Sequence, residues 1–202
     1  MVTTATVAAS PSMSVSEAIT KRRAVRTYLP DLVDEVTIRS LLTAATWAPT
    51  AIHEESWAFA VVQDPKMLKT ISDRSHVLLT DEERHKHHAM DQHIHAKLYD
   101  HNFNIFYDSG TLIVIYALQA GQFVGADCWL AAENLMLTAC AMGLGTCVIG
   151  LAVPGLNDAQ VKYELSVPAT ATAIVPIIVG KSRGDIPLTT RKPPMILSWK
   201  KA

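Results

Sequence analysis

The pattern of apolar and polar positions along the chain predicts helices that alternate with short strands. Apolar residues that recur every three or four positions indicate helices, and short runs of branched and aromatic residues between polar clusters indicate strands. The predicted helices are one that begins at the capping box Ser14-x-x-Glu17, one that Asp34 caps and Pro49 ends, and others over 65–73, 126–142 and Asn157 to about Leu165. The predicted strands cover 57–62, 111–117, 146–150 and 173–180. Long helices with few hairpin signals favour an α+β sandwich around a mixed sheet.

Three stretches fall outside this pattern. Residues 1–13 have no continuous apolar segment and are expected to form a disordered tail. Residues 80–104 are polar and rich in histidine, and are interpreted as an insertion or lid. Residues 181–202 contain several prolines and no clear period, so they predict an extended arm that packs on a partner or on another face. The remaining pattern indicates one domain over 14–202.

Charge and cysteine content narrow the class of protein. With 18 basic and 19 acidic residues, the chain offers no field for nucleic acid or an anionic membrane. Residues 134–157 carry no charge and are long enough to span a bilayer, but glycines and prolines interrupt them, which favours a buried helix and strand. The three cysteines form no C-x-x-C pair and indicate buried free thiols in a reducing compartment. We therefore expect a cytoplasmic protein that acts on small molecules.

Two separate groups of cationic side chains point to a phosphate. Arg22, Arg23 and Arg26 lie close together after the first helix, and Arg191-Lys192 follows in the arm. Guanidinium groups present forked donors that match phosphate oxygens. The alternative for the first group is a solvated patch that complements the helix dipole. The second group, in an otherwise apolar and proline-rich segment, favours the phosphate interpretation.

Four segments occur in an order that is typical of one family. They are Lys21-Arg-Arg-Ala-Val-Arg-Thr-Tyr28, Ala48-Pro-Thr-Ala-Ile-His53 before Trp57, Gly143-Leu-Gly-Thr-Cys-Val-Ile-Gly150, and Val179-Gly180 before a basic C-terminal segment. In this order the chain resembles the nitroreductase family of FMN-dependent, NAD(P)H-using oxidoreductases, from residue 14 to about 195. The resemblance implies a three-layer α/β/α sandwich with a mixed, mostly antiparallel sheet, and an intertwined homodimer.

The resemblance also implies two FMN sites at the subunit interface, each built from both chains. The phosphate and ribityl chain would be held around Arg22, Arg23, Ala24, Arg26 and Arg191. The other subunit would line the flavin ring with Pro49, Thr50, Ala51 and His53. The other edge of the ring would lie along Val148, Ile149 and Gly150. The backbone N–H of Ile149 or Gly150 would then point at flavin N5, the atom that receives a hydride.

The chemistry that the resemblance implies needs little acid or base catalysis. A nicotinamide passes hydride to the flavin, leaves, and is replaced by a nitroaromatic, a quinone or a similar small acceptor, so no catalytic side chain is nominated. Ala24 stands where the family usually has serine, and His53 and Glu55-Ser56 replace an asparagine and a Gln-Pro pair. These departures leave open a protein of the same fold that stores or senses flavin without turnover.

A histidine cluster supplies a third hypothesis. Seven of the eight histidines lie between His76 and His101. On a helix, His87, Asp91 and His95 would share one face at intervals of four, where they could ligate Zn, Ni or Cu. The other interpretation is a solvent-facing lid beside the flavin pocket. Because no cysteine or H-E-x-x-H frame supports the cluster, we predict no metal site and keep a histidine-rich metal-binding protein as an alternative.

Overall fold

A four-stranded sheet forms the middle of the molecule. The computed structural model describes residues 13–86, 100, 103–187 and 189–201. Its strands are β1 (Trp57–Val62), β2 (Leu112–Ala117), β3 (Gly145–Val148) and β4 (Thr172–Gly180). They lie in the order β1-β2-β4-β3, and each neighbouring pair is antiparallel. An isolated parallel bridge between Ala24 and Thr146 adds the chain after the first helix to the β3 edge.

Helices cover both faces of this sheet. They are α1 (Val15–Lys21), α2 (Glu35–Thr46), α3 (Pro65–Lys86), α4 (Val124–Ala141), α5 (Val153–Leu156) and α6 (Ala159–Glu164). Side chains of β2 alternate between two cores: Leu112 and Tyr116 pack on the side of α3, α5 and α6, whereas Ile113 and Ile115 pack on the side of α2 and α4. The period of two along a strand thus separates the two cores. The α+β fold with three α/β/α layers is confirmed.

The first two helices begin where the sequence predicts. The backbone N–H of Glu17 donates to Ser14 Oγ at 3.3 Å, and the Glu17 carboxylate accepts from the Ser14 N–H at 2.9 Å, which completes the capping box. Asp34 caps α2 by accepting from the Thr37 N–H at 2.9 Å. Trp47 follows the last turn of this helix and is 82% exposed.

Helix α3 is longer than the predicted helix over 65–73, which was wrong at its end. It runs from Pro65 to Lys86, so residues 80–86 continue this helix. Buried Ser72 and Ser75 continue the inward face toward buried Leu79. Small polar residues in these positions hid the apolar period, since a sequence pattern counts serine as polar. The rest of the histidine-rich stretch, 87–99 and 101–102, lies outside the described residues.

The helix predicted from Asn157 begins at Ala159. The capping residue is Asp158, whose carboxylate accepts from the N–H groups of Gln160 and Val161. The Asn157 side chain instead joins two elements, because its amide donates to Val153 O and its Oδ1 accepts from the Ala173 N–H. Both residue types cap helices well, so the pattern could not separate them.

The cysteines and the uncharged stretch behave as core. All three cysteines are free, with Cys128 and Cys147 buried and Cys140 partly so. Burial, with a smaller contribution from neighbouring Asp127, raises the pKa of the Cys128 thiol to about 11, so it stays protonated at neutral pH. In the part of the chain that is described, no helix combines the length and apolar character needed to cross a membrane.

Close packing between α5 and α3 leads to a stability prediction. A Cβ at Gly155 would collide with Ser75 Oγ and lie 2.8 Å from Ile71 O, whereas a Cβ at Gly125 in α4 would meet open space. Gly155→Ala should therefore lower the free energy of unfolding by about 1 to 3 kcal/mol, the usual cost of overpacking. Gly125→Ala should leave it unchanged or raise it by up to about 1 kcal/mol. Urea unfolding of both variants measures the difference, and equal midpoints would contradict this packing.

Candidate functional site

The residues after α1 are fixed beside strand β3. The Val25 N–H donates to Thr146 O at 2.9 Å, and the Val25 side chain is buried. A Cβ on Gly145 would lie 2.8 Å from Val25 Cβ, so the absence of a side chain at Gly145 permits this close approach. The arginines on either side of Val25 are thereby held at the β3 edge. We call residues 22–26 the arginine segment.

The Arg23 side chain caps the C-terminal end of helix α1. Its Nη1 donates to the carbonyl oxygens of Thr20 at 2.6 Å and Arg22 at 2.7 Å, which satisfies acceptors that a helix C-terminus leaves unpaired. This contact matches the helix-dipole alternative for this arginine. Its Nε is buried and has no hydrogen-bond partner among the described residues.

Arg22 and Arg26 face two other neighbours. Arg22 Nε lies 3.6 Å from Oε1 of partly exposed Glu133 on α4. The Arg26 guanidinium lies 5.9 Å from the centre of the Tyr107 ring, within cation–π range. The three arginines therefore share one segment but do not point at one spot within a single chain.

Arg26 also lines a cleft that the sequence did not indicate. The cleft has a volume of about 410 Å³ and includes Arg183, Asp100 and Asp108. Arg183 reaches it because its N–H donates to Thr27 O at 3.0 Å, which lays the start of the arm alongside the arginine segment. The sequence signal for this would have been the arginine three residues after the last strand. Two cations and two acids give the cleft a mixed charge.

The two donors named at the end of β3, Ile149 and Gly150, differ in their hydrogen bonding within the described residues. Ile149 is buried, and its N–H donates to Pro176 O at 2.9 Å. Gly150 is exposed, a Cβ there would have open space around it, and its N–H has no acceptor among the hydrogen bonds of the described chain. Of the two donors named from the sequence, the one at Gly150 is thus available. Val148 precedes them and is half-buried.

The segment after Pro49 has an unusual backbone. Ile52, His53 and Glu55 have φ values of 52°, 57° and 46°, in the left-handed region that disfavours residues with a Cβ. Each such residue costs about 1 to 3 kcal/mol, and such strain concentrates at functional sites. Ile52 is β-branched and 79% exposed, so burial of its side chain does not offset the cost of its backbone conformation.

Hydrogen bonds from outside hold this strained segment in place. Asp127, in the first turn of α4, is buried and accepts from the Ala51 N–H at 3.1 Å. The Gln119 amide donates to Ser56 Oγ at 2.8 Å and to the Glu54 carboxylate at 3.0 Å. The sequence analysis missed both supports. An acidic residue in the first turn of an alanine-rich helix was the available signal for Asp127.

The two halves of the candidate site lie at opposite edges of the sheet. The strained segment leads into β1, the outer strand on one side, whereas the arginine segment and Gly150 lie at β3 on the other. Three strand spacings separate these edges, which amounts to about 14 Å. Within the described residues, one chain does not bring Thr50 and Ala51 to Gly150.

The arm leaves the domain after its first residues. The Leu29 N–H donates to Lys181 O at 2.9 Å, and residues 184–187 and 189–201 are exposed. Arg191 is among them and has no hydrogen bond or ion pair to the arginine segment in the described chain. Four apolar side chains of the arm are 60% to 91% exposed: Met195, Ile196, Leu197 and Trp199. Exposed apolar side chains grouped in this way are typical of interaction surfaces.

The metal hypothesis finds no support in the described residues. No group of three or more His, Cys, Asp or Glu side chains among them could hold a metal ion. His76 Nε2 lies 2.9 Å from Phe103 O. The row of His87, Asp91 and His95 lies outside the described residues.

Comparison with known proteins identifies relatives of this chain. The model of the Nitroreductase family matches residues 19–181. A protein of Methanothermobacter thermautotrophicus named "Putative NADH dehydrogenase/NAD(P)H nitroreductase" is 29% identical over 143 residues. That match covers 69% of this chain and 62% of the relative, so it spans less than two thirds of the relative's length.

Solved structures share the fold across nearly the whole chain. A nitroreductase with bound FMN from Bacteroides fragilis superimposes with a TM-score of 0.80 at 23% identity, covering 94% of this chain and all of that one. A nitroreductase with bound FMN from Desulfitobacterium hafniense gives 0.75 at 16% identity, covering 88% and 94%. With a family match over most of the sequence and the same fold, the chain belongs to the Nitroreductase family.

Proposed function

We propose that this chain is an FMN-dependent oxidoreductase that works as a homodimer. The observation that carries the proposal is the Gly150 N–H at the end of β3, which has no acceptor among the described residues and lies on the strand that the arginine segment joins, in a chain of the Nitroreductase family. The neighbours from Bacteroides fragilis and Desulfitobacterium hafniense hold FMN in this fold. FMN, when bound, accepts a hydride and returns its electrons to a second substrate.

The donors of the chain fit such a group. FMN has an anionic phosphate and a planar ring with polar edges. Strand β3 connects a donor for each: the arginine segment lies beside the start of the strand, and the Gly150 N–H lies at its end. Thr146, beside the arginine segment, is four residues before Gly150, or about 13 Å at the rise of a strand. Arg23 Nε is buried without a partner in the described residues, and the Gly150 N–H has no acceptor there.

Arg22, Arg26 and Arg191 would bind the phosphate end. Arg22 makes one long ion-pair contact, at 3.6 Å, with a partly exposed carboxylate, so its guanidinium is able to turn toward an anion at little cost. Arg26 is exposed, and Arg191 is carried on the extended arm. Arg23 would hold the end of α1 in place and so fix the arginine segment. Exposed Ala24 offers no hydroxyl to the ribityl chain.

Gly150 would donate to the polar edge of the flavin ring. The Ala152 N–H donates to Ile149 O at 2.9 Å, which fixes the peptide plane that carries the Gly150 N–H. A donor that is already fixed costs no reorganisation when charge develops near it. The residues from 148 to 152 are Val-Ile-Gly-Leu-Ala and carry no ionisable side chain. These residues therefore bind and orient, and no side chain of theirs moves a proton.

A second copy of the chain would complete the site. Pro49, Thr50, Ala51 and His53 of that copy would line the ring, since one chain keeps them at the far edge of the sheet. The exposed apolar residues of the arm, Met195, Ile196, Leu197 and Trp199, would pack on the partner. Burying these side chains would contribute about 1.5 to 3 kcal/mol for each large one.

The name of a relative supports a reductant for the proposed reaction. NAD(P)H would supply the hydride, in line with the name of the Methanothermobacter relative. A nitroaromatic, a quinone or a similar flat acceptor would then take the place of the nicotinamide. The exposed left-handed turn at Ile52 and His53 would border this space and limit the acceptor's size.

The spectrum of the purified protein tests this function. We expect flavin absorbance at one FMN per chain, bleaching on anaerobic addition of NADPH or NADH, and recovery when a quinone or nitroaromatic is added. FMN absorbance that neither nucleotide bleaches would instead support flavin storage or sensing. A colourless protein that takes up no added FMN would refute the proposal.

Removing single arginines tests the phosphate assignment. Arg22→Ala and Arg191→Ala should each raise the FMN dissociation constant roughly 10- to 100-fold, because a hydrogen bond to a charged group contributes about 1.5 to 3 kcal/mol. Arg39→Ala is the matched control, since exposed Arg39 pairs with Glu35 in its own helix. Fluorescence titration of apoprotein with FMN measures all three. Wild-type affinity in both site variants would contradict the assignment.

A further inference from the structure

A proline occupies the interior of a central strand. Strand β4 lies between β2 and β3, and Pro176 is the fifth of its nine residues. Proline is normally confined to edge strands and bulges because it cannot donate to the ladder. A central proline therefore needs a reason in the structure around it.

Pro176 lies directly opposite Ile149. The register of β3 and β4 pairs Gly145 with Gly180 and Val148 with Ile177, and the next pair in this register is Ile149 with Pro176. The Ile149 N–H donates to Pro176 O at 2.9 Å. In an antiparallel sheet, such a pair normally exchanges two hydrogen bonds. The second one, from residue 176 to Ile149 O, cannot form because proline has no N–H.

Pro176 removes no hydrogen bond on the side of β4 that faces β2. In an antiparallel strand, the N–H and C=O of one residue point toward the same neighbour. Since the Pro176 carbonyl points to β3, its nitrogen also faces β3, and the pair with Val114 of β2 is of the kind without hydrogen bonds. The missing donor thus affects Ile149 alone.

The Ile149 carbonyl finds a different donor. It accepts from the Ala152 N–H at 2.9 Å, and this bond closes the 3-10 turn Gly150–Ala152. Strand β3 therefore ends at Val148, and the chain turns so that Gly150 is exposed. With an N–H at residue 176, Ile149 O would accept from two competing donors, which would weaken the bond that closes the turn.

We propose that Pro176 is a positioning residue for the flavin: by withholding one ladder hydrogen bond, it leaves Ile149 O to close the turn that presents the Gly150 N–H. The inference rests on the proposed function, because it assigns that donor to FMN. Pro176 itself is buried and need not touch the cofactor. Its effect would pass through the peptide between Ile149 and Gly150.

Pro176→Ala restores the missing N–H and tests the proposal. Amide hydrogen exchange of Ala152, measured by NMR in the protein without FMN, should become about three- to tenfold faster, as expected for one weakened hydrogen bond. FMN should bind about three- to tenfold more weakly, and the flavin midpoint potential should shift. Val175→Ala is the matched control: it shortens the neighbouring buried side chain and should lower stability without altering these three readouts.

The outcomes separate the two claims. Unchanged Ala152 exchange and unchanged FMN affinity in Pro176→Ala would overturn the role of Pro176, while FMN binding by the wild type would keep the proposed function intact. Equal changes in Val175→Ala would also overturn it, because they would show a general loss of packing. Failure of the wild type to bind FMN would refute the proposed function, and the assignment of Pro176 to the flavin with it.

Discussion

The order of the strands sets the main constraint on how this chain can work. The sheet runs β1-β2-β4-β3, so the strained segment before β1 and the arginine segment beside β3 lie at opposite edges. Buried β2 and β4 fill the space between them with aliphatic side chains. No rotation of side chains closes a gap of about 14 Å. The proposed homodimer would join the halves by bringing the strained segment of a second copy to the β3 edge of the first.

Both halves of the candidate site, at the β1 edge and at the β3 edge, depend on local backbone features that lower stability or restrict packing. Three left-handed residues precede β1, and the buried carboxylate of Asp127 holds their start. At the other edge, Gly145 lets Val25 approach β3, and Pro176 ends the ladder there. Strain and missing ladder bonds are tolerated because β2 and most of β4 between them are buried. The rigid centre thus allows two irregular edges.

Much of the fold could be predicted from the sequence, because the strands carry runs of branched residues and the helices carry caps. The length of α3 could not, since buried Ser72 and Ser75 look polar in a pattern. The arginine segment was recognisable, but the choice of Arg23 to cap α1 depends on where its guanidinium lies in space. The choice between the Ile149 and Gly150 donors depends on a strand partner 27 residues away from Ile149. Strand register and side-chain direction are set by the tertiary structure, so a local sequence pattern does not reveal them.

Complementation between two variants tests the shared site most directly. Arg22→Ala and Thr50→Trp each damage one half, and a heterodimer purified through two different tags carries one variant in each chain. A site built from both chains predicts one FMN per heterodimer, because wild-type Arg22 of one chain meets wild-type Thr50 of the other. A heterodimer of wild type with the double variant is the control and should have no site that binds FMN with wild-type affinity. The reverse result, with no FMN in the first heterodimer and one in the control, would contradict the account.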